Sequence, residues 1–559
     1  MMKSYPLPSD SLIKWEVAPR DISDFTFQHP LRQTRWDDLE IHYRSKRESK
    51  VHDPLFNLQY VRDIEARYFA HLFSFSEASL PGGSRLDPQF AHMLTKSAQG
   101  GVIELLDFPF KDVNTIHQFQ DGVEEVRANA TLNNLTFLTN LGRVMGALQV
   151  AEGAKYDQII QAEREVYRVV DAVVEQFPDV SSKLWTDLRL FLLSSQMRDS
   201  PLDDYRQLLH AEKITMTASL KGVPVFDIAV GGREHQWEQL DSYWPSRVLQ
   251  GSYQRWKAFS LIKDVVALAI TTIGVAHTVD AYGLARAEFG NPLSLTGLGH
   301  PLLYYQAKYG RISGFQPNDV RFSPQEQLLF VTGPTEGGKT TVARSVGTAV
   351  LMAHAIGYVC AESARVPLFT NMLSSFVHTD DFASGISTFR AEAESLNAQY
   401  AVMDDQTFFV GDETLRTSEP SVGPELLPPI TRALLAKGIT GVIATHYHDA
   451  IRQFEGHPQI KCQQIKPERF FALEDGVSPG GYAFESAQRA GLHPELLGER
   501  ARDEYVSPEK PSQSFTVRPT VLHDKKLPPH SLEELMQATE IPHTKVLIKT
   551  RLTPLPKEN

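Results

Sequence analysis

The stretch VTGPTEGGKTT, residues 331–341, restricts what this chain can fold into more than any other. Gly333, Gly338, Lys339 and Thr340 satisfy G-x-x-x-x-G-K-[ST], a loop that works only between a strand and a helix. Both flanks comply: QLLFVTGP reads as a short apolar strand and TTVARSVGTAVLMAHAIG as a helix. In that setting backbone N–H groups and the helix N-terminus converge on phosphate oxygens, and glycines keep side chains out of their way. Lys339 is placed to reach the β- and γ-phosphates, and the Thr340 hydroxyl to ligate Mg2+. The expected ligands are therefore ATP and Mg2+. Gly333, Pro334, Thr335, Glu336, Gly337, Gly338, Lys339, Thr340 and Thr341 form the expected ATP loop. Glu336 is out of character there. A carboxylate aimed inward would repel phosphate, so it is expected to point away.

Two more short apolar strands end in polar residues. FFVGDET, 408–414, ends in Asp412-Glu413, the pattern of a strand whose aspartate holds Mg2+ through water and whose glutamate orients an attacking water. VIATHYHD, 442–449, sets His446 just after a buried strand, placed to sense the γ-phosphate. Lys339, Glu413 and His446 are thus the candidate catalytic set, and Thr340 and Asp412 the candidate Mg2+ ligands. His446-x-His448 with Asp449 lacks the further close His or Cys ligands of a zinc centre. Asp404-Asp405 has no apolar strand before it and reads as a solvated turn. Strands alternating with helices predict a mostly parallel sheet with its site at the carboxyl ends of the strands.

The rest of the chain has a different texture. A length of 559 residues calls for several domains. Four segments are expected: an N-terminal one at 1–50, a helical one at 51–290 with an insert near 200–256, the P-loop domain at 291–505 and a Pro-rich tail at 506–559. HDPLFNLQYVRDIEARYFAHLFSF and YDQIIQAEREVYRVVDAVVEQF space apolar residues at three and four with charges between, the period of amphipathic helices. KGVPVFDIAVGG, inside the insert, has short β-like pieces instead. The apolar run VVALAITTIGVA is too short to span a bilayer and reads as a buried helix. No h-region of a signal peptide is apparent at the N-terminus, and two cysteines without a C-x-x-C fit a reducing compartment; no membrane and a cytoplasmic location are the expectation. A formal charge of −12 argues against a surface coated in basic groups for nonspecific nucleic-acid binding.

HPLL (300–303), FQPNDV (315–320), TGPTEGGKTT, DDFASGISTFRAEAESL (380–396), DET and ATHY occur in an order that resembles the ATPase domain of the MutS family of DNA mismatch repair proteins. The likeness continues through ALEDGVSPGGYAFESAQRAGLHPELLGERA (472–501). More weakly, FPFKDVNTIHQFQDGVEEVRAN and HTVDAYGLARA resemble that family's helical core and the helix entering its ATPase. The resemblance implies a multidomain protein, a mainly α-helical core or lever domain followed by an α/β P-loop ATPase domain of the ABC type. It implies a homodimer with composite sites, in which Ser387 and Thr388 meet the partner's γ-phosphate. It also implies adenine stacked on Phe315 and Phe471, and a DNA partner with repair proteins beside it. There are departures as well. Thr335 and Glu336 replace the family's Asn and Met, and DETLRTS is shorter than D-E-I-G-R-G-T-S and lacks its glycines. Phe75-Ser76-Glu77 matches the mismatch-reading Phe-x-Glu by letter only. The expected function is an ATP-gated dimeric clamp on distorted or branched DNA in repair or recombination. The rival is a nucleotide-switched protein-interaction module that does not bind DNA directly. A transport or chromosome-structure ATPase would carry L-S-G-G-Q or long heptad arms, and the sequence shows neither.

Overall fold

The computed structural model describes residues 13–15, 25–27, 54–75, 86–153, 159–193, 213–218, 224–230, 233–235, 243–312, 314–334, 337–376, 388–414, 422–466 and 472–480. Strands β1 (Ile13–Trp15) and β2 (Phe25–Phe27) pair antiparallel. Helices follow: α1 (Pro54–Asp63), a 3-10 helix (Ala66–Leu72), α2 (Pro88–Asp107), α3 (Val113–Ala128), α4 (Leu135–Gly153), α5 (Ile159–Glu175) and α6 (Lys183–Leu193). Their starts are written in the sequence. Asp87, with Pro88 behind it, accepts the N–H groups of Gln89 and Phe90, and Asp112 accepts that of Thr115.

The periodic stretch 52–75 does not form one helix. α1 stops at Asp63, Glu65 takes a left-handed conformation with φ 55°, and the tighter 3-10 turns follow. The Ile64 carbonyl, which would have continued the helix, instead accepts the Nε2–H of His300 at 3.0 Å and lies 3.3 Å from the Thr348 hydroxyl. Tertiary partners replace the helical ladder there.

Three strands, β3 (Lys213–Ala218), β4 (Pro224–Val230) and β5 (Arg233–His235), make a small antiparallel sheet. Helix α7 (Tyr243–Tyr282) runs 40 residues, about 60 Å at the α-helical rise. Its part Ile262–Tyr282 is apolar and long enough to cross a membrane, but most of it is buried inside the protein, where α7 packs on α2, α3, α4 and α6. The crossing with α2 is close: a Cβ on Gly101 would sit 2.1 Å from Thr271 Oγ1. Thr271, Thr272 and Thr278 hide their hydroxyls by donating to carbonyls four residues back.

The C-terminal half alternates strands and helices: β6 (Ala285–Phe289), β7 (Ser294–Leu298), α8 (Pro301–Lys308), β8 (Asn318–Arg321), β9 (Leu328–Thr332), α9 (Lys339–Ile356), β10 (Tyr358–Val359), β11 (Ser363–Val366), β12 (Asn371–Phe376), α10 (Thr388–Val402), β13 (Thr407–Asp412), α11 (Val422–Ala436), β14 (Thr440–Ala444), α12 (His448–Arg452), β15 (Ile460–Lys466) and β16 (Ala472–Asp475). They build a mixed five-stranded sheet, β10-β6-β11-β7-β8, and a six-stranded one, β12-β13-β14-β9-β15-β16. In the larger sheet all neighbours are parallel except β15 and β16. Its fully buried β9 carries no alternation, as a strand covered on both faces should. α9 is buried nearly all round because it packs against β9, β13 and β14 as well as β7, β10, α2 and α3. The helical half and the sheet therefore both pack on this helix.

Candidate functional site

Strand register sets the site. Asp412 at the end of β13 pairs with Ala444 at the end of β14, and Ala444 pairs with Val331 of β9. The three strands thus end level, and the chain leaves them into the glycine loop, Glu413 and His446 along one carboxyl edge. The strand order also reverses here. From β9 the chain passes to the far edge, returns through β13 and β14, then continues on β15 at the other side of β9. Ligands of open α/β sheets bind at such a switch point.

The loop is shaped by close approach. A Cβ on Gly333 would press on the Ile465 backbone at 3.4 Å, and Gly337 turns back to give its N–H to the Pro334 carbonyl at 3.0 Å. Gly338, at φ 85°, opens α9 without a side-chain cap, so the first-turn N–H groups point forward. The buried Lys339 ammonium folds over the loop, donating to the carbonyls of Pro334 at 2.8 Å and Gly333 at 3.2 Å. Thr340 Oγ1 donates to Asp412 Oδ1 at 2.9 Å. A hydroxyl and a carboxylate this close form an oxygen-only pair suited to a hard cation such as Mg2+. Burial raises the Asp412 carboxyl pKa and neighbouring Glu413 adds to that, while the Thr340 hydrogen bond and the charges of Arg344 and Lys339 oppose it. A cation here favours the ionised form.

Glu413 is held at φ 51°, in the left-handed region, and its N–H donates to Ala444 O at 2.8 Å. Non-glycine residues in this region are strained and gather at functional sites. The turn brings Glu413 Oε1 to 3.8 Å from His446 Nδ1, with the glutamate mostly buried and the histidine half-exposed. Behind the loop, burial lowers the pKa of His448, and Lys339, His446 and Arg452 add to that, while its contact with the Gly333 carbonyl opposes it. Thr332 Oγ1 ties the strand to its neighbours, donating to Gln463 O and accepting the Ser478 N–H.

The structure thus brings together Gly333, Pro334, Gly337, Gly338, Lys339, Thr340, Asp412, Glu413 and His446, with Thr341 in the first turn of α9. Asp404 lies on an exposed turn whose carboxylate accepts Gln406 N–H and Thr407 O–H. Phe315 packs edge-on against Tyr304, with ring centroids 5.0 Å apart, over Gly299. Phe75 is buried in the core beside His277. Thr335, Glu336, Ser387 and Phe471 lie outside the described residues, and Thr388 is described only as the first residue of α10.

Sequence reasoning missed the groups that anchor α9 from behind. Gln120 of α3, fully buried, donates through Nε2 to Gly357 O at 2.7 Å and Ala287 O at 2.9 Å. His354 gives its Nδ1–H to Val350 O and accepts the Phe369 N–H on Nε2, so both ring nitrogens are used by a neutral imidazole. Burial pushes its pKa down to about 4. Arg344, one turn beyond Thr340, pairs with Glu65 at 2.6 Å. A polar residue inside an apolar helix was the available signal for His354; Gln120 and Arg344 depend on distant partners.

Residues 329–504 match the family model described as MutS domain V. The chain is 31% identical over 252 residues to the DNA mismatch repair protein MutS of Myxococcus xanthus, covering 43% of this chain and 28% of that protein. It is 32% identical over 240 residues to that of Symbiobacterium thermophilum, covering 41% and 27%. For that of Thermus thermophilus the figures are 29% over 244 residues, 43% and 28%. The matched part spans under a third of these relatives' own length. The C-terminal part of the chain is thus similar to MutS domain V and to the corresponding part of these MutS proteins.

Proposed function

We propose that this protein is an Mg2+-dependent ATPase of DNA mismatch repair type, in which nucleotide state opens and closes a dimeric clamp on distorted or branched DNA. The observation that carries the ATPase reading is the single edge holding Lys339, the Thr340–Asp412 pair and the Glu413–His446 pair. When bound, ATP with Mg2+ would supply the phosphoryl group and neutralise its charge. Lys339 would release the loop carbonyls and turn to the β- and γ-phosphates, while the first-turn N–H groups of α9 receive phosphate oxygens. Thr340 and Asp412 would hold the cation, Glu413 would orient water, and His446 would report the γ-phosphate. Ser387 and Thr388 would complete the site of a second copy, and Phe315 and Phe471 would flank the base. In this reading 51–290 is the lever and 291–505 the motor, and α9, packed against both, links them.

The rival reading, a nucleotide-switched module gripping a protein, draws on the formal charge of −12 and on the glycine-free loop after Glu413. Both readings are tested by measuring ATP turnover by the full chain with duplex, mismatched, branched and single-stranded DNA, alongside direct binding at low salt. The clamp reading expects binding that changes with nucleotide and turnover stimulated most by branched or distorted DNA. Turnover without binding to DNA of any shape would leave the rival. No turnover and no nucleotide binding would end the ATPase reading itself.

A further inference from the structure

Residues 54–72 lie directly on the helix that carries the candidate site. Tyr60 donates its hydroxyl to Gly347 O of α9 at 3.0 Å, and a Cβ on Gly347 would crowd Ile64 and Tyr60 at 3.0 and 3.1 Å. Buried Asp63 accepts the Ser374 hydroxyl of β12 at 2.8 Å. The other end of the segment is tied to the helical half: Arg67 makes two bonds, of 2.8 and 3.0 Å, to the Asp107 carboxylate at the end of α2. Between these ties sits the left-handed Glu65, whose Oε1 is 2.6 Å from Arg344 Nη1, with both side chains mostly shielded.

Arg344 faces two ways. It stands four residues after Thr340, on the same face of α9. Its guanidinium also lies over the Phe376 ring, 5.3 Å from the centroid. Phe376 ends β12 and is the register partner of Asp412. The residue therefore touches the strand end beside one member of the Thr340–Asp412 pair and shares a helix face with the other, while its charge is spent on Glu65. We propose that Arg344 is a positioning residue that passes a shift of the Thr340–Asp412 pair to the strained Glu65 link, and so to segment 54–72 and α2. This rests on the ATPase reading. A cation that replaces the Thr340–Asp412 hydrogen bond shifts the first turns of α9 against the strand ends, and the Arg344–Glu65 pair converts that movement into a change at the left-handed residue where α1 gives way to the 3-10 turns.

The test is hydrogen exchange on the full chain, with and without saturating Mg2+ and the non-hydrolysable analogue AMP-PNP. In the wild-type chain nucleotide should slow exchange across 54–72 by about fivefold or more, the size of an ordinary coupling. Glu65→Gly keeps the left-handed backbone and deletes the carboxylate. It should bind AMP-PNP within about fivefold of wild type, as loss of a partly exposed ion pair allows, yet lose that protection. Arg344→Gln at saturating nucleotide should lose it too. Arg344→Lys, which retains the charge, should restore much of it. Protection in Glu65→Gly and Arg344→Gln equal to wild type would overturn the inference. So would wild-type binding that leaves 54–72 unchanged, which spares the ATPase reading. Wild-type chain that binds no AMP-PNP overturns both.

Discussion

The two ends of α9 use the same residue for opposite purposes. At the N-terminal end, left-handed Gly338 starts the helix with no side chain over its first N–H groups, which are left facing a loop that already holds a buried lysine. At the C-terminal end, left-handed Gly357 closes the helix by giving its N–H to the carbonyls of Met352 and Ala353. Its own carbonyl then accepts both Gln120 Nε2 and the Ala287 N–H, and the His354 carbonyl accepts the Phe110 N–H. One end presents donors and the other quenches acceptors. A helix made this way is fixed at one terminus and leaves donors free at the other, so under the proposed ATPase function substitutions at its two ends should separate turnover from stability.

The largest effect is expected at the open end. Glu413→Gln keeps the size and backbone of the residue and removes the carboxylate proposed to orient water, so turnover should fall by about 10²–10⁴. Nucleotide binding and the thermal midpoint should stay near wild type. Steady-state hydrolysis beside calorimetric unfolding reads both, and unchanged turnover would refute the assignment of Glu413. At the closed end the opposite pattern should hold. Gly357→Val forces a β-branched side chain into a left-handed position, at about 1–2 kcal/mol for the backbone alone. It also drives a Cβ to 2.4 Å from Gln120 Cγ, so the total loss should reach about 3–5 kcal/mol, seen as a lowered unfolding midpoint. Gln120→Ala should cost about 2–3 kcal/mol, from two buried hydrogen bonds lost. In both, whatever protein remains folded should still bind nucleotide. A closed-end variant that keeps its stability but loses nucleotide binding would break the separation.

The difference between the ends also decided what the sequence could reveal. The open end is local. Gly333, Gly338, Lys339 and Thr340 lie within eight residues, and their strand and helix flanks were readable from apolar runs. Asp412 and Glu413 were readable because a buried parallel strand is a short continuous apolar run, and His446 because it follows another. The closed end is not local. Gln120 meets Gly357 across 237 residues of chain, and nothing in HQFQDGV announces a carbonyl waiting there. The break at Glu65 was hidden for the same reason, since apolar spacing continues through it and only Ile64's distant partners show where the helix stops. β12 was unread too: NMLSSF carries buried serines and an asparagine, and its depth comes from β13 and α1 rather than from its own composition.

The smallest effect separates the ends by pH. His300 accepts the Leu302 N–H on Nδ1 and donates from Nε2, and His354 is likewise bonded at both nitrogens as the neutral ring. Burial pushes both down to about 4 from an ordinary value of 6.5. The unfolded chain then binds more protons than the folded one between those values, so stability rises with pH across that window. Their contribution is whole above about 6.5 and drains as the pH falls towards about 4, costing about 2 kcal/mol per histidine by pH 5. His354→Gln can keep a donor and an acceptor in place without titrating. Its unfolding midpoint should therefore drop less than wild type between pH 7 and pH 5, even if its stability at pH 7 is lower. Equal drops would show that His354 does not anchor the closed end as a neutral ring.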